Sequence, residues 1–318
     1  MQPTILFGAK LPGAPERMLP TNFRVLLPDT EIMPRDQLLS LLPQADALVL
    51  LLSQRVGARE MDRAPALKIL SNYAVGYDNI DVAEATRRGI LVTNTPDVLT
   101  ETTADLAWAL LMATARRIVE ADRFVREGRF DGWKPSLFLG RDIWGKTLGI
   151  VGLGRIGQAM ARRARGFGMT VLASRRGRKQ SDLARLVDLD ELLAESDFLS
   201  IHCPLTEQTR HLIGAQQLAT MKPGAIIVNT ARGPVVDEEA LIDALEAGHI
   251  AGAGLDVYEQ EPTIPERLLR LENVVLAPHI GSASHDTREA MAAMAVEAVR
   301  DHLEGRPVAH PVNPEVLG

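Results

Sequence analysis

The feature that most constrains the fold is the segment 147–176, which reads TLGIVGLGRIGQAMARRARGFGMTVLASRR. A short apolar run is followed by Gly152, Gly154 and Gly157 in the spacing GxGxxG, then by a helical pattern to Phe167 and a second apolar run. This order of strand, glycine turn, helix and strand is the context that a dinucleotide-binding fingerprint requires. The glycines would permit the turn, the approach of a pyrophosphate and close helix packing, and the N–H groups that begin the helix would hold the phosphates. The alternative is a plain βαβ unit with glycine-rich turns.

The residues after the second apolar run bear on the choice of cofactor. In NAD-binding units a carboxylate, roughly 20 residues past the turn, accepts hydrogen bonds from the ribose 2′-hydroxyl. Here Ser174 is followed by RRGRK, with no acidic residue before Asp182. Guanidinium groups would instead attract a 2′-phosphate through charge-assisted hydrogen bonds. We therefore predict that NADP(H) is preferred and that NAD(H) is possible, the alternative being a solvated basic loop.

Composition narrows the class of protein. The chain has 318 residues, which suits two domains, and its formal net charge of −6 gives no general attraction to nucleic acid or to anionic membranes. Its single cysteine cannot form an internal disulfide, and its longest aliphatic run, 47–52, is too short to span a bilayer. No N-terminal stretch resembles a signal peptide, so we expect a cytoplasmic protein without a metal site.

Apolar runs alternate with helical patterns along the whole chain, which indicates an α/β protein with two doubly wound parallel-sheet domains. The first unit lacks a phosphate fingerprint. A long helix is predicted over 100–127, followed by an irregular, aromatic-rich stretch at 129–144. The second unit contains the glycine turn. The predicted strands are 4–7, 23–27, 47–51, 67–70 and 90–92 in the first unit, and 147–151, 169–173, 198–202, 225–229, 251–256 and 274–276 in the second.

Three strand ends of the second unit carry polar residues suited to one reaction. Arg232, Glu261 and His279 each follow a different predicted strand, and ligands bind beyond the carboxyl ends of parallel strands. Reduction of a 2-oxo acid needs a cation for the carboxylate and carbonyl, a proton donor and a hydride. The arginine would supply the cation, the histidine the proton, and the glutamate would hold the imidazolium. Singly, each residue has a simpler interpretation as a surface or core residue, whereas their joint placement favours catalysis.

The sequence resembles the D-isomer-specific 2-hydroxyacid dehydrogenases, and within them the glyoxylate/hydroxypyruvate reductases. The resemblance runs nearly from end to end and is highly specific. It rests on the segments SNYAVGYDNID (71–81), NTPDVLTETTADLAWALL (94–111), GLGRIGQ (152–158), HCPLTEQTRHLI (202–213), NTARGPVVDEEAL (229–241), GLDVYEQEP (254–262) and APHIGSA (277–283).

The resemblance implies a role for individual residues. Arg232, Glu261 and His279 would be catalytic, and Val75 and Gly76, together with Arg232 and His279, would bind the substrate. Asp256 could instead cap the next turn, and Cys203 could be a packing residue. With the fingerprint and the basic loop, the cofactor-binding residues are predicted to be Thr103, Gly152, Leu153, Gly154, Arg155, Ile156, Gly157, Ser174, Arg175, Arg176, Cys203, Pro204, Thr209, Thr230, Ala231, Arg232, Asp256, His279 and Gly281.

The resemblance also implies the domain map and the partners. Residues 1–98 and 286–318 would form a flavodoxin-like substrate domain, residues 99–285 a Rossmann cofactor domain, and the active site would lie in a cleft between them. We expect a small 2-oxo or 2-hydroxy acid substrate and a homodimer joined through residues 100–144, in which Leu137 or Phe138 reaches the partner's active site. Alternatives are a phosphoglycerate or arylpyruvate dehydrogenase and a dinucleotide-sensing corepressor.

Overall fold

The computed structural model describes residues 2–174, 177 and 181–318. It divides into two compact units, Met1–Leu99 with Ser282–Gly318, and Thr100–Gly281. The N-terminal and C-terminal segments of the chain therefore belong to the same unit. Each unit contains one sheet.

The strands are β1 (Thr4–Phe7), β2 (Arg24–Leu26), β3 (Ala47–Leu50), β4 (Ile69–Asn72), β5 (Leu91–Thr93), β6 (Thr147–Val151), β7 (Thr170–Ser174), β8 (Arg185–Leu186), β9 (Phe198–Ile201), β10 (Ala225–Asn229), β11 (Ile250–Leu255) and β12 (Val274–Leu276). The α-helices are α1 (Arg35–Leu41), α2 (Ala58–Asp62), α3 (Val82–Arg87), α4 (Thr100–Ala115), α5 (Ile118–Arg126), α6 (Arg155–Gly166), α7 (Leu189–Glu195), α8 (Ala215–Thr220), α9 (Glu238–Glu246), α10 (Glu266–Arg270) and α11 (His285–Leu303).

The first unit is built on a five-stranded parallel sheet with the order β2-β1-β3-β4-β5. Every residue of β1, β3, β4 and β5 is buried, as expected for parallel strands covered on both faces. Leu38, Met61 and Ala85 of the three N-terminal helices pack in the core on one face, and α11 contacts β3 and β4. This strand order is that of flavodoxin-like folds.

The second unit is built on a seven-stranded parallel sheet with the order β12-β11-β10-β9-β6-β7-β8. Helices α4 and α6 cover one face through residues such as Ala107 and Met160. Helices α7, α8 and α9 cover the other face through Leu192, Leu218 and Leu241. The order is the Rossmann order with one further strand, so both sheets confirm the predicted α/β class.

The long helix predicted over 100–127 is wrong, because the structure breaks it into α4 and α5. Arg117 lies between them with φ 53° in the left-handed region, which no α-helix can include. The carbonyl of Ala115 accepts a hydrogen bond of 2.8 Å from the backbone N–H of Arg141. Arg141, in the segment 129–144, thus occupies the carbonyl group that a continuous helix would use. This contact is long-range, so no local sequence pattern predicts it.

Three short elements were not predicted: α2, α10 and β8, which have five, five and two residues. Elements of this length contain too little periodicity to be distinguished from turns. Among residues 2–174, 177 and 181–318, no helix combines the length and the apolar character needed to span a bilayer.

Candidate active site

The glycine turn joins β6 to α6. Gly152 has φ 95°, and a Cβ there would lie 2.6 Å from the backbone nitrogen of Cys203. A Cβ on Gly157 would lie 2.2 Å from the carbonyl oxygen of Gly152, so helix and turn touch through their backbones. Gly154 has no atom within 4 Å of its Cβ position and precedes the helix without a side-chain cap. The helix therefore begins with uncapped N–H groups beside open space, an arrangement that fits a phosphate.

A row of polar residues continues from the turn along the carboxyl edge of the sheet. Val151, Ile201, Asn229 and Leu255 are in register across β6, β9, β10 and β11. The residues that follow them are Gly152, His202, Thr230 and Asp256, which stand next to one another. Among the described residues, His202 Nδ1, Thr230 Oγ1 and Asp256 Oδ2 are buried without a hydrogen-bond partner. Because such atoms cost about 1–3 kcal/mol each, the row fits a polar ligand that supplies the missing partners.

His202 enters this row as a neutral side chain. Burial lowers the pKa of the imidazole to about 3, and its Nε2 lies 2.7 Å from Ser200 Oγ. The sequence prediction did not include this residue. Because side chains alternate along β9, His202 lies on the same face as Ser200. This alternation was the one sequence feature that could have pointed to His202.

Asp256 is 1% exposed, and its Oδ1 accepts a 2.7 Å hydrogen bond from the backbone N–H of Ile280. Burial raises the pKa of this carboxyl, while the N–H groups of Ile280 and Gly281 and the charge of His279 oppose the rise only in part. The carboxylate thus holds the segment around His279 instead of only capping the turn after its own strand.

Arg232 follows β10 in a loop that Asn229 shapes. The side chain of Asn229 accepts a hydrogen bond of 3.0 Å from the N–H of Ala231 and donates one of 3.0 Å to the carbonyl of Arg232. The loop approaches the segment that carries Glu261 at Gly233, where a Cβ would lie 1.9 Å from the carbonyl carbon of Tyr258. The charge of Arg232 contributes to lowering the pKa of Glu261. Asn229 is 1% exposed, and it was not among the predicted site residues because its role depends on loop geometry.

His279 and Glu261 form a hydrogen-bonded pair. His279 Nδ1 lies 2.8 Å from Glu261 Oε2, with the two side chains 24% and 31% exposed. Within the described residues, His279 Nε2 makes no hydrogen bond, so it is available to a ligand. Burial raises the pKa of Glu261, but the hydrogen bond and charge of His279, the N–H of Tyr258 and the charge of Arg232 outweigh burial and lower it overall. Glu261 is therefore ionised and orients the imidazole.

Tyr258 supports the pair of His279 and Glu261 through two hydrogen bonds. Its hydroxyl donates a 2.9 Å hydrogen bond to the carbonyl of Ala277, and its backbone N–H donates a 3.1 Å bond to Glu261 Oε1. Burial, with the charges of Asp256 and Glu261, raises the pKa of Tyr258 to about 12, so the hydroxyl remains a donor. Sequence reasoning missed this residue, because an aromatic next to a strand has many packing interpretations.

The remaining predicted cofactor residues lie at several places in the second unit. Thr103, in the first turn of α4, has its Oγ1 3.6 Å from the Cβ position of Gly281. Thr209 Oγ1 donates to the carbonyl of Pro204 at 2.7 Å and thereby shapes the loop after β9. The carbonyl of Ser174 accepts a 2.9 Å hydrogen bond from the N–H of Gly152. Leu153 is buried, and Arg155 and Ile156 open α6. Arg175 and Arg176 lie outside the described residues.

Val75 and Gly76 belong to the other unit, in the loop after β4. Both are half-buried, and among the described residues their N–H groups donate to no protein acceptor. In the part of the chain that the structure describes, no three His, Cys, Asp or Glu residues are arranged to hold a metal ion.

A glycine turn at the edge of a Rossmann sheet, beside a braced histidine–glutamate pair and an arginine, defines an oxidoreductase that uses a nicotinamide dinucleotide. Comparison with known proteins gives the family. The sequence profile of the NAD-binding domain of D-isomer specific 2-hydroxyacid dehydrogenases matches residues 108–281. The chain belongs to the D-isomer-specific 2-hydroxyacid dehydrogenases.

Individual relatives are similar over the whole chain. The glyoxylate reductase of Thermococcus onnurineus is 52% identical over 326 aligned residues, covering 100% of this chain and 98% of that one. A solved structure from Thermus thermophilus has a TM-score of 0.93 at 46% identity, covering 97% of this chain and 99% of the other. The NADPH-dependent glyoxylate/hydroxypyruvate reductase of Sinorhizobium meliloti, solved with NADP and malonate, has a TM-score of 0.88 at 36% identity and covers 98% and 97% of the two chains.

Proposed function

We propose that this protein reduces glyoxylate and hydroxypyruvate to glycolate and D-glycerate with NADPH. The observation that carries the proposal is the hydrogen bond between His279 and Glu261, and the loop of Arg232 approaches the same segment at Gly233. Relatives covering the full chain at about half identity are glyoxylate reductases. In this proposal the first unit is the substrate domain and the second the cofactor domain.

Each of the three residues has a part that follows from its chemistry. Arg232 would bind the substrate carboxylate and polarise the carbonyl group. His279 would donate the proton on Nε2 to the carbonyl oxygen as it becomes an alkoxide. Glu261 would hold the imidazole through Nδ1 and so orient Nε2 towards the substrate. Reduced nicotinamide, when bound, supplies the hydride. The N–H groups of Val75 and Gly76 would hold the carboxylate.

The glycine turn and the unsatisfied polar row fit a nicotinamide dinucleotide. The uncapped start of α6 would bind the pyrophosphate, and Thr230 and Asp256 would offer partners to the nicotinamide end. Preference for NADPH is proposed from the charge of the residues after Ser174, where two arginines stand in place of an acid. The Sinorhizobium meliloti relative, which is NADPH-dependent, supports this choice.

A steady-state comparison of the two cofactors with glyoxylate tests the proposal. One charge-assisted hydrogen bond to the 2′-phosphate is worth ~1.5–3 kcal/mol, so kcat/KM should be roughly tenfold or more higher with NADPH than with NADH. In the Arg175→Ala variant the NADPH value should fall while the NADH value is retained. A kcat/KM with NADH that equals or exceeds the value with NADPH would contradict the cofactor assignment. Absence of turnover with glyoxylate and with hydroxypyruvate would contradict the function.

We propose further that the protein is a homodimer joined through residues 100–144. Exposed apolar side chains are concentrated there, with Trp133 83%, Trp144 72% and Leu139 68% exposed, and such patches mark interfaces. Phe138 packs edge-on against Phe124 of its own chain, with ring centroids 5.3 Å apart. Light scattering should give about twice the 34.7 kDa mass of one chain, and a monodisperse particle of a single chain would contradict the proposal.

A further inference from the structure

The loop after β4 has an unusual distribution of hydrogen bonds. Three successive carbonyl groups are bound within the first unit. The carbonyl of Ala74 accepts from the backbone N–H of Thr95 at 2.9 Å. The carbonyl of Val75 accepts from Asn94 Nδ2 at 2.8 Å, and that of Gly76 from Asn72 Nδ2 at 2.7 Å.

These bonds determine where the N–H groups of the loop point. In a planar trans peptide the C=O and N–H bonds point in opposite directions. Fixing the carbonyl of Ala74 therefore orients the N–H of Val75, and fixing the carbonyl of Val75 orients the N–H of Gly76. Each N–H group therefore points away from the donor that holds the carbonyl of its own peptide, Thr95 N–H or Asn94 Nδ2. Neither N–H group donates to a protein group among the described residues. Two adjacent oriented N–H groups form a site for an anion.

A third asparagine braces this arrangement. Asn79 Nδ2 donates to Asn72 Oδ1 at 3.1 Å and to the carbonyls of Leu51 and Gln54 at 3.2 and 3.1 Å. Asn72 is fully buried. The ends of β3 and β4 are thus connected through side-chain amides, and buried amides in such networks hold their partners in place when every bond is made.

We infer that Asn94 is a positioning residue that aims the N–H of Gly76, beside the N–H of Val75, at the carboxylate of the substrate. Asn72, braced by Asn79, supports it by holding the next carbonyl of the loop, that of Gly76. The inference rests on the proposed function, in which that loop binds the carboxylate. Asn94 has the most direct part, because its amide holds the peptide whose N–H belongs to Gly76. Since the carboxylate is bound in the ground state as well as in the transition state, loss of this aim raises KM more than it lowers kcat.

The test is an Asn94→Ala variant of the full-length enzyme, compared with Asn313→Ala. Asn313 is a suitable control because it is 1% exposed in the same unit and binds the Val92 N–H and the Ile90 carbonyl, outside the loop. In Asn94→Ala, KM for glyoxylate should rise about tenfold or more, the effect of one hydrogen bond to a charged group. The kcat and the KM for NADPH should stay within about twofold. Asn94→Ser, which retains a donor, should recover part of the loss.

Each outcome decides the inference. A KM for glyoxylate that does not exceed that of Asn313→Ala would overturn it, as would a parallel rise of the KM for NADPH or a failure of Asn94→Ala alone to fold, since these indicate a structural role only. If the unaltered enzyme turns over no 2-oxo acid, the proposed function fails. If the unaltered enzyme is active and Asn94→Ala has an unchanged KM, only the positioning inference fails.

Discussion

Replacing His279 with alanine should lower kcat for glyoxylate reduction by about 10²–10⁴-fold, the usual contribution of a general acid. The structure supports this size of effect because Nδ1 is held 2.8 Å from Glu261 while Nε2 is available to a ligand. Glu261, the other member of the pair, cannot replace the lost proton donor, because its lowered pKa keeps it ionised. Stopped-flow measurement of NADPH oxidation at saturating glyoxylate would give the change in kcat directly.

A binding measurement separates loss of the acid from damage to the site. The dissociation constant for NADPH in His279→Ala should rise far less than kcat falls, because the glycine turn, where the pyrophosphate would bind, is unaltered. Near-normal turnover in the variant, with NADPH still bound, would refute the assignment.

The sequence predicted those parts of the fold that depend on local patterns. Near-continuous apolar runs are typical of parallel strands covered on both faces, and both sheets were predicted from them. The GxGxxG turn was placed correctly between β6 and α6, because the need for each glycine depends on the backbone conformation of a few neighbouring residues. The break at Arg117 was not predictable in this way, because the competing hydrogen bond comes from Arg141, which lies more than twenty positions away in the sequence.

The candidate site shows the same division. Arg232, Glu261 and His279 could be proposed because each follows a strand end. The structure joins His279 to Glu261 by a hydrogen bond and brings the loop of Arg232 close to the backbone of Tyr258. The residues that hold them could not be proposed. Asn229 and Tyr258 act through hydrogen bonds to carbonyl and carboxylate groups of loops, and such bonds exist only after the strands have been arranged. Reactive residues that follow a strand can be predicted from the sequence. The residues that hold them by hydrogen bonds can be identified only once the strands are arranged in the sheet.

The support is concentrated in the segment that follows β11. Within six residues this segment supplies Asp256, Tyr258 and Glu261, which bind Ile280, Ala277 and His279 respectively. The histidine, with φ 55°, is thus held in an unfavourable backbone conformation by bonds on both sides of it. Any change that displaces the backbone of Tyr258 should therefore disturb the pair as a whole.

Gly233→Ala makes that displacement and should reduce both activity and stability. A Cβ at this position would lie 1.9 Å from the carbonyl carbon of Tyr258 and 2.5 Å from the backbone nitrogen of Glu259. Backbone cannot rotate aside as a side chain can, so either the Arg232 loop or the Glu261 loop must move. Overpacking of this kind costs about 3 kcal/mol, and a shift of ~1 Å between reacting groups can cost 10²-fold in rate. Thermal unfolding and kcat for glyoxylate would measure both losses.

Gly166→Ala provides the matched control for that substitution. Gly166 ends α6, and its Cβ position has no atom within 4 Å. Alanine there should leave kcat unchanged and stabilise the enzyme by up to ~1 kcal/mol, because it reduces the freedom of the unfolded chain. If Gly233→Ala retains the activity and melting temperature of Gly166→Ala, the two loops are not in direct backbone contact. In that case the close approach at Gly233 would not be what holds the Arg232 loop against the Glu261 loop.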